Sequence, residues 1–385
     1  METKDLLILE PFYGGSHKQL IKTITNSLDN HNVKYDLFTL RAKKWPWKAR
    51  CGAIMLSEAI PRDVSYRTLF CSSDLSLSEF VGIRPDFYHC HKVVYFHENQ
   101  LVYPVQKSET LDFQFGYNQI LTALAANEIY FNSLYNFQSF VMNINEFLRR
   151  IPEYKPKDIK EKIESKSKVL HFPLTFNKEI STLKVKEDSN EKILHIVWAH
   201  RWEYDKDPLT FFKTLFELQE NDFKFCVSIL GQGFTDVPKV FTEGKEKLKE
   251  GTIQNWGYVE DRNKYLSILQ SCDVAISTAI HEFFGVSMME CCYSGCYPLC
   301  PNKLSYPEIY PSECLYNTPR QLYKKLREFC LKPWLASELH KKLNIDYSKY
   351  SWDKMESDYL NILKVGPKRQ CTRENEINNP VTRDF

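Results

Sequence analysis

Short apolar runs alternate along this chain with stretches whose apolar residues recur at helical spacing. Residues 5–11, DLLILEP, read as a strand buried on both faces, and the run stops in Phe12-Tyr13-Gly14-Gly15. Residues 17–28 follow with a helical period, and 33–40 read as a second strand. The run 92–99, KVVYFHEN, is β-branched and ends in polar residues. Residues 117–133 predict a helix running into a short strand, and 168–174 a further strand. Strand and helix alternating in this way predict a parallel sheet with helices on both faces, an α/β domain.

Residues 177–192 break the pattern, being polar, charged and almost free of large apolar groups, as an interdomain linker would be. A second alternation then begins. Residues 192–201 predict a strand, and 207–219 a helix that starts after Asp207 with Pro208 in its first turn. Residues 223–233 predict a strand ending in glycines, and 262–278 a helix followed by a strand. Residues 282–295 predict a helix closed by Gly295, and 351–365 a last amphipathic helix. The expected organisation is a domain at 1–176, a linker at 177–191, a second domain at 192–348, a helix at 349–366 and a polar tail at 367–385.

The 385 residues are 43% hydrophobic and 26% charged, enough apolar material for two real cores, which excludes wholesale disorder. A net charge of +2 excludes a general polycationic coat for nucleic acid but leaves room for a local basic patch. Leu6–Leu9 is too short for a secretory apolar region and no run reaches about 18 apolar residues, so no membrane segment is expected. With that, the twelve cysteines read as buried free thiols in a reducing compartment, cytoplasmic or nuclear.

The sharpest chemical signal is the segment 281–290, HEFFGVSMME, in which Glu282 and Glu290 flank a glycine at the start of a predicted helix. A helix N-terminus suits a diphosphate, and the two glutamates suit sugar and ribose hydroxyls. A surface helix with two solvated glutamates fits this segment alone equally well. Arg201 and Lys206 stand at the end of a predicted strand, where open α/β sheets bind ligands and where cations can neutralise a leaving diphosphate. Residues 41–50, RAKKWPWKAR, combine five basic residues with two tryptophans and no acid, a composition fit for an RNA loop or for a solvated loop packed by tryptophan. Cys291, Cys292, Cys296 and Cys300 lack the paired spacing of a zinc site.

Arg201-x4-Lys206 followed by Glu282-Phe283-Phe284-Gly285 through Glu290 resembles the pattern of the retaining family 4 glycosyltransferases. Gly257-Tyr258-Val259, Ser294-Gly295, Pro298 and Pro307-Glu308 match that pattern as well. The resemblance implies a GT-B fold: two Rossmann-like domains, the donor in the cleft between them, and a C-terminal helix crossing back to the first domain. It also implies donor contacts from Gly14, Gly15, Arg201, Lys206, Val259, Phe283, Phe284, Gly285, Val286 and Glu290, with His97 and Glu282 at the reacting centre. Glu98 is expected to orient His97.

Within that family, the strings at 10–20, 42–50, 66–70, 94–105 and 112–120 are similar to the group that mannosylates queuosine in tRNA. This closer resemblance implies GDP-mannose as donor and the wobble queuosine of tRNA(Asp) as acceptor. Lys43, Lys44, Trp45, Trp47 and Arg50 are then the expected tRNA contacts. Metal-independent catalysis is expected, with Arg201 and Lys206 supplying the charge a metal would. A lipid or small-sugar acceptor, or a non-catalytic protein that binds sugar nucleotides or tRNA, stays open at this point.

Overall fold

The computed structural model describes residues 2–103, 113–175, 192–233 and 237–365. The predicted linker at 177–191 and tail at 367–385 lie outside the described residues. Two six-stranded sheets are present, and every strand pair in them is parallel. The first contains β1 (Glu2–Tyr13), β2 (Tyr35–Arg41), β3 (Val64–Ser72), β4 (His91–Phe96), β5 (Glu128–Phe131) and β6 (Ser167–Val169) in the order β2-β1-β3-β4-β5-β6. The second contains β7 (Leu194–Ala199), β8 (Phe225–Leu230), β9 (Ile253–Gly257), β10 (Val274–Ile276), β11 (Tyr297–Pro301) and β12 (Leu315–Tyr316) in the order β12-β11-β10-β7-β8-β9.

The apolar runs follow from burial on both sides of these sheets. Leu6 and Ile8 join one core cluster while Leu7 and Leu9 join the other, and Val93 and Tyr95 divide in the same way from Val94 and Phe96. A strand covered on both faces cannot alternate with polar residues, which is why LLIL and KVVYF are continuous. The chain order of the strands reverses between β1 and β3 in the first sheet and between β7 and β10 in the second. In an open parallel sheet that point leaves a crevice at the carboxyl ends of the strands, and ligands bind there.

The last helix, Trp352–Ile362, does return to the first domain. The Leu174 N–H donates to the Tyr350 carbonyl at 2.7 Å, and the Trp352 N–H donates to the Leu174 carbonyl at 3.0 Å. Ser27 donates to Glu356 at 2.5 Å, and Tyr359 donates to the His171 carbonyl at 2.9 Å. The second domain also reaches across directly. Phe283 packs on Tyr135, and Phe284 packs on His171 and Phe172.

Several elements differ from the sequence expectation. The helix expected at 282–295 is only Val286–Tyr293, because Gly285 sits at φ 89° and its turn delays the start. β3, β9, β11 and the helix Trp45–Ala59 were not expected from the periodicity. The basic segment at 41–50 is therefore not a free loop: its second half is the opening of that helix, with Pro46 in the first turn.

Candidate active site

The carboxyl end of β7 leads through His200 and Arg201 into a single turn, Tyr204–Lys206. Asp207 caps the next helix by accepting from the Thr210 N–H at 3.1 Å, as Asp207-Pro208 suggested. Lys206 is buried. Its ammonium donates to the His281 carbonyl at 2.8 Å and lies 3.1 Å from both Glu282 and Asp205 carboxylates. Burial alone would lift the Glu282 carboxyl, but Lys206, with His200 and Arg201, outweighs it and depresses it to about 2. Burial pushes His200 and His281 down to about 4, with Lys206 adding to the effect, so both rings are neutral at pH 7.

Arg201 keeps about half of its side chain exposed and pairs with Glu203 at 3.1 Å. It is placed to receive a phosphate if that pair opens. Gly285 stands before the helix Val286–Tyr293 with no side-chain cap, leaving the first N–H groups of that helix to an incoming group. Glu290 lies about one turn into that helix, and one of its oxygens accepts from Arg262 at 2.6 Å. Val259, just beyond β9, is half-buried against the core. Phe283 and Phe284 are almost fully buried in the domain contact described above, so their rings are packing groups. At those two positions only the backbone remains to face a donor.

The first domain brings its own polar groups to the carboxyl ends of β1, β3 and β4. Gly14 lies against Ala42, where a side chain at 14 would collide, and Gly15 opens the helix Gly15–Asn30 at φ 50°. Glu10 is fully buried at the end of β1. It accepts from the Phe12 N–H at 2.9 Å and the Ser72 hydroxyl at 3.0 Å, and its second oxygen faces His17 Nδ1 at 3.2 Å. His17 stacks on His97, with ring centroids 3.9 Å and planes 22° apart. Asp74 accepts from the Trp45 indole at 3.1 Å and lies 4.0 Å from His17.

The electrostatics of the two histidines diverge. Burial would discharge His17, but Glu10, followed by Asp74 and Glu98, raises it to about 9. Burial and the neighbouring His17 charge push His97 well below its usual value, so it is neutral. Glu98, half-buried just beyond β4, acts electrostatically both on His17 and on Arg201 of the second domain. The polar groups at the strand ends of the two domains therefore lie close enough to act on one another.

Sequence reasoning singled out His97 and Glu98 here but missed Glu10, His17, Asp74, Glu203 and Asp205. The available signal was Glu10 itself, a carboxylate closing an otherwise apolar strand, which is rarely buried without a purpose. Among the expected tRNA contacts, Lys43, Lys44 and Trp47 are exposed. Trp45 is not available in the same way: its indole is bound to Asp74 and its ring packs 4.8 Å from Phe115. Arg50 is exposed as well, with its guanidinium 4.5 Å from the Phe115 ring. Cys291, Cys292, Cys296 and Cys300 are fully buried, and burial pushes the Cys291 and Cys300 thiols up, away from the thiolate a metal would bind.

Two parallel Rossmann-like domains with a cationic strand end and an uncapped helix at the cleft define a glycosyltransferase of the GT-B class. Solved structures agree on the fold: a glycosyltransferase from Rickettsia africae (TM-score 0.60, 17% identity, 94% of this chain and 98% of that one) and Anabaena HepE in complex with UDP and glucose (TM-score 0.61, 12% identity, 94% and 99%). Residues 5–174 match the N-terminal family model of the tRNA-queuosine alpha-mannosyltransferases. A Drosophila melanogaster tRNA-queuosine alpha-mannosyltransferase is 46% identical over 364 residues, 93% of this chain and 96% of its own length. The chain belongs to the tRNA-queuosine alpha-mannosyltransferase family. Among the described residues no helix is long and apolar enough to cross a membrane.

Proposed function

We propose that this protein transfers mannose from GDP-mannose, with retention of configuration, to the queuosine at the wobble position of tRNA(Asp), in the cytoplasm or nucleus. Family membership supports the reaction, and one observation supports its location. Arg201 and Lys206 follow β7 at the switch point of the second sheet, the polar cluster lies at the switch point of the first, and Glu98 is near enough to act on Arg201. The donor diphosphate takes the second domain and the acceptor the first. Arg201 leaves Glu203 for the diphosphate, while Lys206 holds Glu282 ionised as an acceptor for sugar hydroxyls.

No protein nucleophile is required. The leaving phosphate takes the acceptor proton on the face from which the mannose departs, and the protein contributes position and electrostatic stabilisation. Neutral His97 is available for a hydroxyl at that centre. The acceptor base has to enter a cleft between domains, so it is presented from an anticodon loop rather than from within a duplex.

The test is transfer by purified protein from a panel of nucleotide sugars to tRNA from cells with and without queuosine. GDP-mannose should be preferred, only queuosine-containing tRNA should be labelled, and transfer should survive EDTA. Equal labelling of both tRNA pools removes the acceptor, a different preferred sugar removes the donor, and activity lost to EDTA and restored by Mn²⁺ or Mg²⁺ removes the metal-free reading.

A further inference from the structure

Handling a nucleotide sugar leaves the cluster in the first domain unexplained. Glu10, His17, Asp74 and His97 are each no more than 7% exposed, yet Asp74 Oδ1 and His97 Nδ1 have no hydrogen-bond partner, and Glu10 Oε2 meets His17 Nδ1 at 3.2 Å. Among the described residues the Glu98 carboxylate has no ion pair. Glu10 and Asp74 thus lie 3.2 and 4.0 Å from one imidazolium, and Glu98 acts on it electrostatically. Crowding of like charge shows at Asp74, where burial, with Glu98 and Glu10, raises the carboxyl to about 7 against the pull of His17. A buried surplus of negative charge with unused acceptors is costly unless a cation completes it.

Donor atoms of Glu10, His17 and His97 lie within 4.8 Å of one another, a spacing that also suits a metal ion. The ring geometry opposes that occupant. A metal bonds imidazole in the plane of the ring, and His17 and His97 are stacked nearly parallel at 3.9 Å, so one ion cannot lie in both planes. An organic cation has no such requirement. The surroundings indicate where it comes from: Trp45 ties Asp74 to the exposed basic segment of Lys43, Lys44 and Trp47, so a cation-seeking pocket adjoins a phosphate-seeking surface. Free polyamines would be repelled by such a rim. A cationic base carried on an anionic backbone satisfies both.

We infer that Glu10, Asp74 and Glu98 form the subsite for the positively charged side chain of the acceptor base, with His97 beside the hydroxyl that is glycosylated. This rests on the queuosine reading above. Queuosine joins its cyclopentene diol to the deazaguanine through a secondary amine, which is protonated at neutral pH. The ammonium takes the carboxylates, and the diol, one ring away, reaches His97 and the donor sugar.

The experiment compares transfer to queuosine tRNA with transfer to the same tRNA after acetylation of the queuosine amine, which removes the charge and leaves the diol. Wild-type protein should lose at least 30-fold in kcat/KM on the acetylated acceptor. Glu98→Gln and Asp74→Asn should each raise KM for native tRNA at least tenfold and discriminate less between the two acceptors, and Asp74→Asn should leave KM for GDP-mannose unchanged. Equal use of both acceptors by the wild type overturns the inference. So does an unchanged tRNA KM in folded variants, or one tightly bound Zn²⁺ per chain that His17→Ala removes and transfer requires. If a variant does not fold, the wild-type comparison decides alone. A wild-type protein that labels neither acceptor refutes the queuosine reading itself, a distinguishable result.

Discussion

The Lys206 ammonium lies 3.1 Å from the Glu282 carboxylate, with both side chains largely withdrawn from solvent. Asp205 stands at the same distance from Lys206 on another side, so one cation holds two acids. Removing it leaves two buried carboxylates unpaired. Lys206→Ala is therefore expected to lower unfolding stability by about 3–5 kcal/mol as well as to weaken transfer. Arg201 is half exposed and, among the described residues, its ion pair is with Glu203, a bond of about 0–1 kcal/mol. Arg201→Ala should cost about 2–4 kcal/mol at the transition state, roughly 30- to 1,000-fold in rate, with little change in stability. Urea unfolding beside initial rates separates the two variants, and wild-type turnover in Arg201→Ala would refute the donor-site assignment.

Glu308 connects the domains by a different device. Its carboxylate accepts from the Leu134 N–H at 2.9 and 3.0 Å and from the Tyr135 N–H at 3.3 Å, at the start of the helix Leu134–Leu148 in the other domain. A negative charge at a helix N-terminus satisfies free donors and complements the dipole. Glu308→Ala should cost about 1–3 kcal/mol, and Glu308→Gln less, because it keeps an acceptor and loses only the charge. Chemical denaturation of both variants measures this, and a Glu308→Gln loss equal to that of Glu308→Ala would show that the charge carries the whole contribution.

Much of this architecture was legible in the sequence because buried parallel strands force continuous apolar runs. LLIL and KVVYF could be read without any knowledge of their partners. β3 and β11 were harder: Arg67 interrupts one, and prolines at 298 and 301 bracket the other, so neither shows a clean run. Arg201, Lys206, Glu282 and Glu290 could be picked out as candidates because they lie close in sequence to the ends of recognisable elements. Glu10, His17 and Asp74 come from three separate elements, and their meeting is a property of the switch point. No spacing encodes it. The bond from Trp45 to Asp74, 29 residues away, was hidden for the same reason.

The Glu10–His17 contact sets a pH dependence of known sign. Burial lowers the His17 pKa, Glu10 more than restores it, and the net value of about 9 lies above the ordinary 6.5. The folded state thus holds a proton that the unfolded state gives up first. The stabilisation is complete below about pH 6.5 and is lost as pH rises through about 9. The thermal midpoint of the wild type should fall across that window, and that of His17→Gln should fall less. Parallel curves for the two proteins would show that His17 is not charged in the folded state.

On the proposed reading, the exposed basic segment governs how salt acts on tRNA binding. Each phosphate that a protein ceases to neutralise removes about 0.7–0.9 from the slope of log affinity against log salt. Lys43→Ala and Lys44→Ala should each weaken tRNA binding and flatten that slope by this amount, without altering GDP-mannose binding in the other domain. Trp47 is 63% exposed, so Trp47→Ala should cost about 1–3 kcal/mol of tRNA affinity if a base stacks on it. Trp45→Ala should behave differently. Its indole holds Asp74, so the loss should fall on the use of the acceptor more than on the salt slope. Filter binding across a salt series, run beside transfer kinetics, resolves the two classes. Unchanged affinity and slope in both lysine variants would remove the segment from the RNA interface and leave the sugar-transfer site intact.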